Sequence, residues 1–180
     1  MLTVQETIEK WKQCRQQVYR NTWNEYFMLQ AFLVSTRSLD PQTQHGCIIV
    51  QPDKTIVASG YNSFIGGIDD SVLPNLRPEK YPFMIHSEQN AIFSAAKNGH
   101  STKDCIVYVT GPPCNSCFQF MHQAGISKIY YYSGNIATMI QNDEYDTNFA
   151  VLKNLSKTEL ICLGFDDDFS DKINKIKSCR

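Results

Sequence analysis

The chain has 180 residues, of which 42% are hydrophobic, and this length suits one domain with its own core rather than two domains. Its 17 basic and 18 acidic residues give a formal net charge of −1, which excludes a broad basic surface for a long nucleic acid and leaves only a local anion site. The seven cysteines are too sparse for a secreted disulfide framework, and no apolar run approaches the ~20 residues of a membrane span, which favours a soluble protein of a reducing compartment.

The first half of the chain predicts a polar lead-in, a buried helix and a β-hairpin. Residues 1–23 are mostly polar and helix-compatible, and they form the lead-in. Residues 24–38 are apolar on nearly every face, which suits a helix buried on most sides, and Asp40-Pro41 ends it. Two apolar runs at 46–50 and 55–61 predict short strands, and the turn-like residues between them make these strands a hairpin.

The middle of the chain alternates helices and strands after a long loop over 62–81, which has no clear period. Predicted helices at 86–98 and 113–124 alternate with predicted strands at 105–110 and 127–132. The order β-β-α-β-α-β implies parallel strands with crossover helices, and therefore an α/β fold.

The C-terminal part predicts one more helix at 147–154 and one more strand at 159–163. The charged tail from residue 166 to the end has an acidic start and a basic end, and we expect it to be solvated.

Two short motifs stand at the starts of successive predicted helices: His86-Ser87-Glu88 and Pro113-Cys114-Asn115-Ser116-Cys117. Cys114 and Cys117 are three residues apart, so on a helix both sulfurs point to one face of the first turn, where the helix dipole favours thiolates. One imidazole and two thiolates bind zinc and leave a fourth position for water, as in a catalytic site. Glu88 is then a general acid and base beside that water. This order of motifs is a signature of zinc-dependent nucleobase deaminases.

Other interpretations of these motifs stay open. A redox dithiol also follows a strand and opens a helix, but it leaves His86 and Glu88 without a role. A single-stranded nucleic-acid deaminase shares the zinc chemistry, but it should show a positively charged channel. A non-enzymatic zinc-binding module predicts four protein ligands and no ammonia release, and candidates for the fourth are Cys47, Cys105, Cys162, His45 and His122. We interpret these cysteines as core residues of strands, and these histidines, with His100, as loop or surface residues.

The sequence resembles the deoxycytidylate (dCMP) deaminases of the cytidine deaminase superfamily, viral and phage members among them. The blocks that carry the resemblance are AFLVSTRSLDPQTQHGCIIV (31–50), SGYNSFIGG with the following IDDSVLP (59–74), KYPFMIHSEQNAI (80–92) and YVTGPPCNSCFQFMHQAGISKI (108–129). The resemblance implies hydrolytic deamination of dCMP to dUMP, which supplies the precursor of dTMP. Other cytosine nucleotides or nucleosides, dCTP included, are alternative substrates.

The resemblance also implies a three-layer αβα sandwich around a mixed five-stranded sheet. The deaminase domain would span 24–145, with 1–23 as a helical lead-in and 146–180 as the C-terminal helix, strand and polar tail of the same domain. One catalytic zinc per chain would be held by His86, Cys114 and Cys117, with Glu88 as the proton shuttle. The expected location is the cytoplasm, or the host cytoplasm for a viral member.

For substrate binding, the resemblance implies that Asn62 contacts the sugar. Lys97 falls where some viral members carry an Arg that faces the substrate phosphate, and Arg37 is a second basic candidate. Many members have Ala and Leu where this chain has Ser87 and Gln89; only the backbone at position 87 is expected to meet the leaving amino group. The second, structural zinc of some phage relatives is expected to be missing, because no Cys or His lies between Asn62 and Ile85.

For regulation, the resemblance implies homohexamers that dCTP activates and dTTP inhibits, with Mg²⁺ on the triphosphate. Gly66 and Gly67 would permit close approach of the backbone to phosphates, and Asp70 could face the magnesium or the ribose. The alternative is a surface loop that needs glycine only for its turns.

Overall fold

The computed structural model describes residues 2–16, 18–132, 143–164 and 166–178. The elements in these ranges are, in chain order, α1 (Val4–Cys14), α2 (Trp23–Ser35), β1 (Gly46–Val50), β2 (Ile56–Tyr61), α3 (Ser87–Lys97), β3 (Ile106–Val109), α4 (Asn115–Gln123), β4 (Lys128–Tyr132), α5 (Asp143–Leu155), β5 (Glu159–Leu163) and α6 (Asp167–Ser178). The long loop between β2 and α3 holds a short 3-10 turn at Asp70–Val72.

The sheet has the strand order β2-β1-β3-β4-β5. β1 pairs antiparallel with both β2 and β3, whereas β3-β4 and β4-β5 are parallel pairs. β2, β3, β4 and β5 therefore run in one direction, and the helices between them are the predicted crossovers. β1 runs the other way because a short hairpin turn joins it to β2. The mixed five-stranded sheet is thus confirmed.

Helices cover both faces of this sheet. Along β1, Cys47 and Ile49 pack with α3 and α4 on one face, while Ile48 and Val50 pack with α2 and α6 on the other. Successive side chains of a strand point to opposite faces, so a run that is buried throughout, such as β1, belongs to a sheet covered on both sides. The predicted three-layer αβα architecture is confirmed.

Gly60 in β2 brings the start of α3 against the sheet. A Cβ atom at this position would overlap the carbonyl oxygen of Ser87 and the backbone amide of Ala91. Only glycine permits this approach of helix to strand, and it is the first turn of α3 that carries the functional motif.

The expectation of a solvated tail after residue 166 was wrong. Residues 167–178 form α6, which packs on α2, with Phe169 0% and Ile173 4% exposed. Phe169, Ile173 and Ile176 lie at helical spacing and make one apolar face, and the Asp166 carboxylate accepts the Phe169 N–H at 2.9 Å. The acidic start and basic end of the segment fit the dipole of this helix.

The two ends of the chain differ in how much they contribute to the core. None of the residues of α1 is buried, although a Thr3–Glu6 capping box starts the helix. The domain boundary predicted at 145/146 falls inside α5. Among the described helices, none combines the length and the apolar character needed to cross a membrane.

Candidate active site

The two predicted motifs meet at the starts of α3 and α4. His86 is the N-cap residue of α3 and Cys114 is the N-cap residue of α4, while Cys117 lies in the first turn of α4. α3 follows β2 through the long loop and α4 follows β3, and these two strands run in parallel. Both helix starts therefore lie beyond the carboxyl ends of parallel strands, where α/β sheets hold their ligands.

The ligand atoms of His86, Cys114 and Cys117 lie within 4.8 Å of one another. His86 Nδ1 is 3.5 Å from Cys114 Sγ and 3.4 Å from Cys117 Sγ. Tetrahedral zinc with ordinary bond lengths places its nitrogen and sulfur ligands about 3.6 Å apart, so these three residues fit zinc. Among the residues that the structure describes, no other group of three His, Cys, Asp or Glu side chains is close enough to hold a metal ion.

The thiols of Cys114 and Cys117 differ in pKa, because a hydrogen bond joins them. A hydrogen bond from the Cys117 thiol and the contact with His86 together lower the pKa of Cys114 to about 4. The Cys117 backbone N–H also points to Cys114 Sγ, at 3.5 Å. The same thiol–thiolate hydrogen bond, with burial, raises the pKa of Cys117. A thiolate at the first turn of a helix is the state that binds a metal ion.

Glu88 lies beside the metal ligands but is not one of them. Its side chain is buried, with 6% of the residue exposed, and its Oε2 accepts the Ser87 hydroxyl at 2.9 Å. Burial raises the pKa of this carboxyl. A buried carboxyl held next to a metal site is suited to proton transfer.

One cavity is lined by His86, Cys114 and Glu88 and by residues of the loops after α2, before α3 and after β3. The residues that line it are Asp40, Thr43, His45, Asn62, Arg77, Lys80, Tyr81, Met84, His86, Ser87, Glu88, Gly111, Pro112 and Cys114. The sequence motifs identified the metal-ligand part of this list but not its cations, Arg77 and Lys80.

Lys80 and Asp40 form a buried ion pair in the cavity wall. Lys80 Nζ lies 2.6 Å from Asp40 Oδ1, and the carboxylate also accepts the backbone amides of Gln42 and Thr43 and the Asn62 side-chain amide. Burial by itself would raise the pKa of Asp40, but the hydrogen bonds from Lys80 and the two backbone amides outweigh it and lower that pKa. Sequence reasoning interpreted Asp40 only as a helix end and missed Lys80, because 40 residues separate them.

Asn62, predicted to contact the sugar, lines the cavity and is buried. Its Oδ1 accepts the His45 backbone N–H at 2.7 Å, and its Nδ2 donates to the Thr43 carbonyl at 2.9 Å. The amide therefore holds the loop that precedes β1, and contact with a sugar stays a prediction.

The structure does not bring Lys97 or Arg37 into the cavity. Lys97 is exposed at the far end of α3, about 15 Å from the first turn along the helix axis. Arg37 lines a separate groove, which also contains Gly66, Gly67 and Asp70. The cation that the cavity offers beside the paired Lys80 is Arg77, whose guanidinium donates to Thr43 Oγ1.

His45, interpreted from the sequence as a loop or surface residue, lies in the loop directly before β1, where it is half-buried in the cavity wall. Its Nδ1 lies 3.2 Å from Thr110 Oγ1. Burial lowers the pKa of the imidazole, and the charge of His86 lowers it further. The signal that could have found it is its place directly before β1, a strand in which every residue is buried.

Comparison with known proteins found similar sequences and structures. A family model, the cytidine and deoxycytidylate deaminase zinc-binding region, matches residues 21–133. Human deoxycytidylate deaminase is 43% identical over 117 residues, which cover 62% of this chain and 65% of the human protein. ComE operon protein 2 of Bacillus subtilis is 40% identical over 116 residues, or 62% of this chain and 60% of that protein. The matched segments thus span somewhat less than two thirds of these relatives.

Among solved structures, the dCMP deaminase of cyanophage S-TIM5 in complex with dCMP and dUMP is similar to this chain with a TM-score of 0.64. Its sequence is 26% identical, and the alignment covers 81% of this chain and 100% of that one.

Proposed function

The chain belongs to the cytidine and deoxycytidylate deaminase family, and on this premise we propose that it converts dCMP to dUMP and ammonia by hydrolysis, supplying the precursor of dTMP. The observation that carries the proposal is that the buried Glu88 and two members of a zinc-fitting triad, His86 and Cys114, line one cavity. The relatives named deoxycytidylate deaminase and the cyanophage complex with dCMP and dUMP support dCMP as the substrate.

In this mechanism His86, Cys114 and Cys117 would hold zinc, and Glu88 would move the protons. With three protein ligands, zinc would keep one position for water and would lower the pKa of that water to about 7. Glu88 takes a proton as the water oxygen adds to C4 of cytosine, and it delivers that proton to N3. It then takes the remaining proton of the hydroxyl added at C4 and passes it to the departing amino group, so the C4–N bond breaks, ammonia leaves and C4 keeps the oxygen as a carbonyl. Ser87 Oγ, at 2.9 Å from Glu88 Oε2, keeps the carboxylate in place.

The phosphate group needs a cation, and we assign this role to Arg77. A guanidinium presents a planar fork of N–H donors that matches phosphate oxygens, whereas the Lys80 ammonium is already paired with Asp40. Thr43 Oγ1 accepts one N–H of Arg77 and so orients the guanidinium. Lys97 and Arg37 stay predictions as phosphate ligands, and either would have to act from outside this cavity.

One assay tests the reaction and its alternatives together. Ammonia release is measured from dCMP, dCTP, deoxycytidine and a cytosine oligonucleotide, with the zinc content of the same sample. We expect one zinc per chain and the highest kcat/KM with dCMP. Ammonia from none of the four would favour a zinc-binding module without activity, and a preference for another of them would reassign the substrate.

Allosteric control by dCTP and dTTP belongs to the same proposal, with the groove of Arg37, Gly66, Gly67 and Asp70 as the effector site. The groove supports this part of the proposal because it contains the predicted loop residues together with Arg37, whose guanidinium is suited to binding a triphosphate. Mg²⁺ on the triphosphate, a homohexamer and a cytoplasmic location stay predictions. Titration of dCMP turnover with dCTP and dTTP tests the regulation, and Arg37→Ala should raise the dCTP concentration needed for half of the response. Flat responses to both effectors would indicate an unregulated enzyme.

A further inference from the structure

His45 is a residue of the cavity wall that the proposed mechanism does not use. It precedes β1 directly, and its backbone N–H donates to Asn62 Oδ1. Its ring packs on Gly111 so closely that a Cβ atom there would lie 2.7 Å from Cε1. Gly111-Pro112 lead into the metal-ligand motif of α4, so His45 lies at the part of the cavity that holds Cys114.

The hydrogen bonds of Thr110 determine which ring nitrogen of His45 carries the proton. Thr110 is buried, and its Oγ1 accepts the Gly46 backbone N–H at 3.0 Å. In the part of the chain that the structure describes, the acceptor within reach of its hydroxyl hydrogen is His45 Nδ1, at 3.2 Å. Nδ1 therefore accepts this hydrogen bond, and in the neutral ring the proton is on Nε2. Nε2 is an N–H donor in the protonated ring as well.

Within the described residues, Nε2 of His45 has no hydrogen-bond partner, and it is not among the fully buried polar atoms left unpaired. It is therefore a donor that remains available at the cavity wall. A ligand that fills the cavity would exclude water from this N–H donor and would then have to offer it an acceptor, because a buried donor without a partner is costly.

We propose that His45 Nε2–H donates a hydrogen bond to the 2-carbonyl oxygen of the cytosine base, an inference that rests on the proposed function. C4 of the base must lie at the metal ligands and Glu88, so the wall beside Cys114 faces the base rather than the phosphate. Because Glu88 delivers a proton to N3, the hydrogen-bond acceptor that remains on the cytosine ring is O2. His45 is therefore a specificity residue that sets the orientation of the pyrimidine.

The test compares two variants of similar side-chain volume, one without the N–H donor of His45 and one with an N–H donor of another kind. His45→Leu removes the N–H, whereas His45→Gln can place its side-chain amide N–H near the position of Nε2. We expect His45→Leu to lower kcat/KM for dCMP about tenfold, mainly through KM, and His45→Gln to retain most of it. The loss should be the same for deoxycytidine, which keeps O2 but lacks the phosphate. Zinc content and melting temperature confirm that both variants fold.

A substrate analogue identifies the acceptor atom. In 2-thio-dCMP a sulfur, which is a weaker acceptor, replaces O2, so the wild type should discriminate against it. That discrimination should disappear in His45→Leu if the bond runs between Nε2–H and O2.

Equal kcat/KM values for His45→Leu and His45→Gln, or unchanged discrimination in His45→Leu, overturn the inference. Wild-type turnover of dCMP is measured first. Its absence contradicts the proposed function and the inference with it, whereas normal wild-type turnover with two equal variants contradicts the inference alone.

Discussion

Lys80 reaches across 40 residues of sequence to pair with Asp40, and both residues are at most 3% exposed. The pair joins the loop after α2 to the loop before α3, and both loops line the cavity. Because Asp40 also accepts an amide hydrogen of Asn62, the ion pair fixes the wall against which a substrate would bind.

Loss of the Lys80 charge should destabilise the fold strongly. Lys80→Met leaves the Asp40 carboxylate buried without its counter-ion, and we expect a loss of about 3–5 kcal/mol in the free energy of unfolding, measured by urea denaturation. Lys128→Met is the matched control, since Lys128 pairs with Glu159 at the surface and should cost about 1 kcal/mol or less. Equal costs for the two variants would mean that the buried pair has no special role.

Glu88→Gln should nearly abolish turnover while the metal stays bound. The amide keeps the size of the side chain but cannot accept and return a proton, so kcat should fall by at least the ~10²–10⁴ of a general acid–base catalyst. Single-turnover assays with a zinc determination on the same sample provide the measurement. Near-normal turnover with zinc bound would remove Glu88 from proton transfer.

Zinc binding should depend on Cys117 and not on the other buried cysteines. Cys117→Ala removes one of three ligands, so we expect zinc content to fall well below one per chain and turnover to be lost. Cys105→Ala is the control, because Cys105 is also buried but lies outside the ligand group. Elemental analysis after dialysis against a chelator compares them, and equal zinc content in both variants would contradict the ligand assignment.

Arg77→Ala should distinguish substrates by their phosphate. Loss of a charge-assisted hydrogen bond is expected to lower kcat/KM for dCMP about 10- to 100-fold and to leave deoxycytidine nearly unaffected. Lys97→Ala is assayed in parallel, because the family resemblance suggested Lys97 as the phosphate ligand. A selective loss for dCMP in Lys97→Ala and none in Arg77→Ala would reverse our assignment.

Gly111→Ala should act through His45. The new Cβ atom would lie 2.7 Å from His45 Cε1 and displace the ring, so we expect a lower kcat/KM for dCMP. The same substitution in a His45→Ala background has no ring to displace and should cost less. Steady-state kinetics of the two single variants and the double variant measure the difference, and additive effects would show that Gly111 acts on something else.

Much of the fold could be predicted because its signals are local. The apolar run of β1 and the turn that follows it predicted the hairpin, and the alternation of helices and strands after it predicted the parallel strands with crossover helices. The position of α6 could not be predicted in the same way. Its apolar face is present in the sequence, but Phe169 becomes a core residue only because α2 presents an apolar surface to it.

The sequence by itself determined which residues form the candidate site, since His86, Glu88, Cys114 and Cys117 belong to two short motifs that stand at the starts of two helices. Tertiary structure alone decided which other side chains share the cavity. Arg77 lines it while Lys97 does not, and His45 meets Thr110 across 65 residues of sequence. Such contacts depend on strand order and on the paths of long loops, and no local pattern of residue types encodes them.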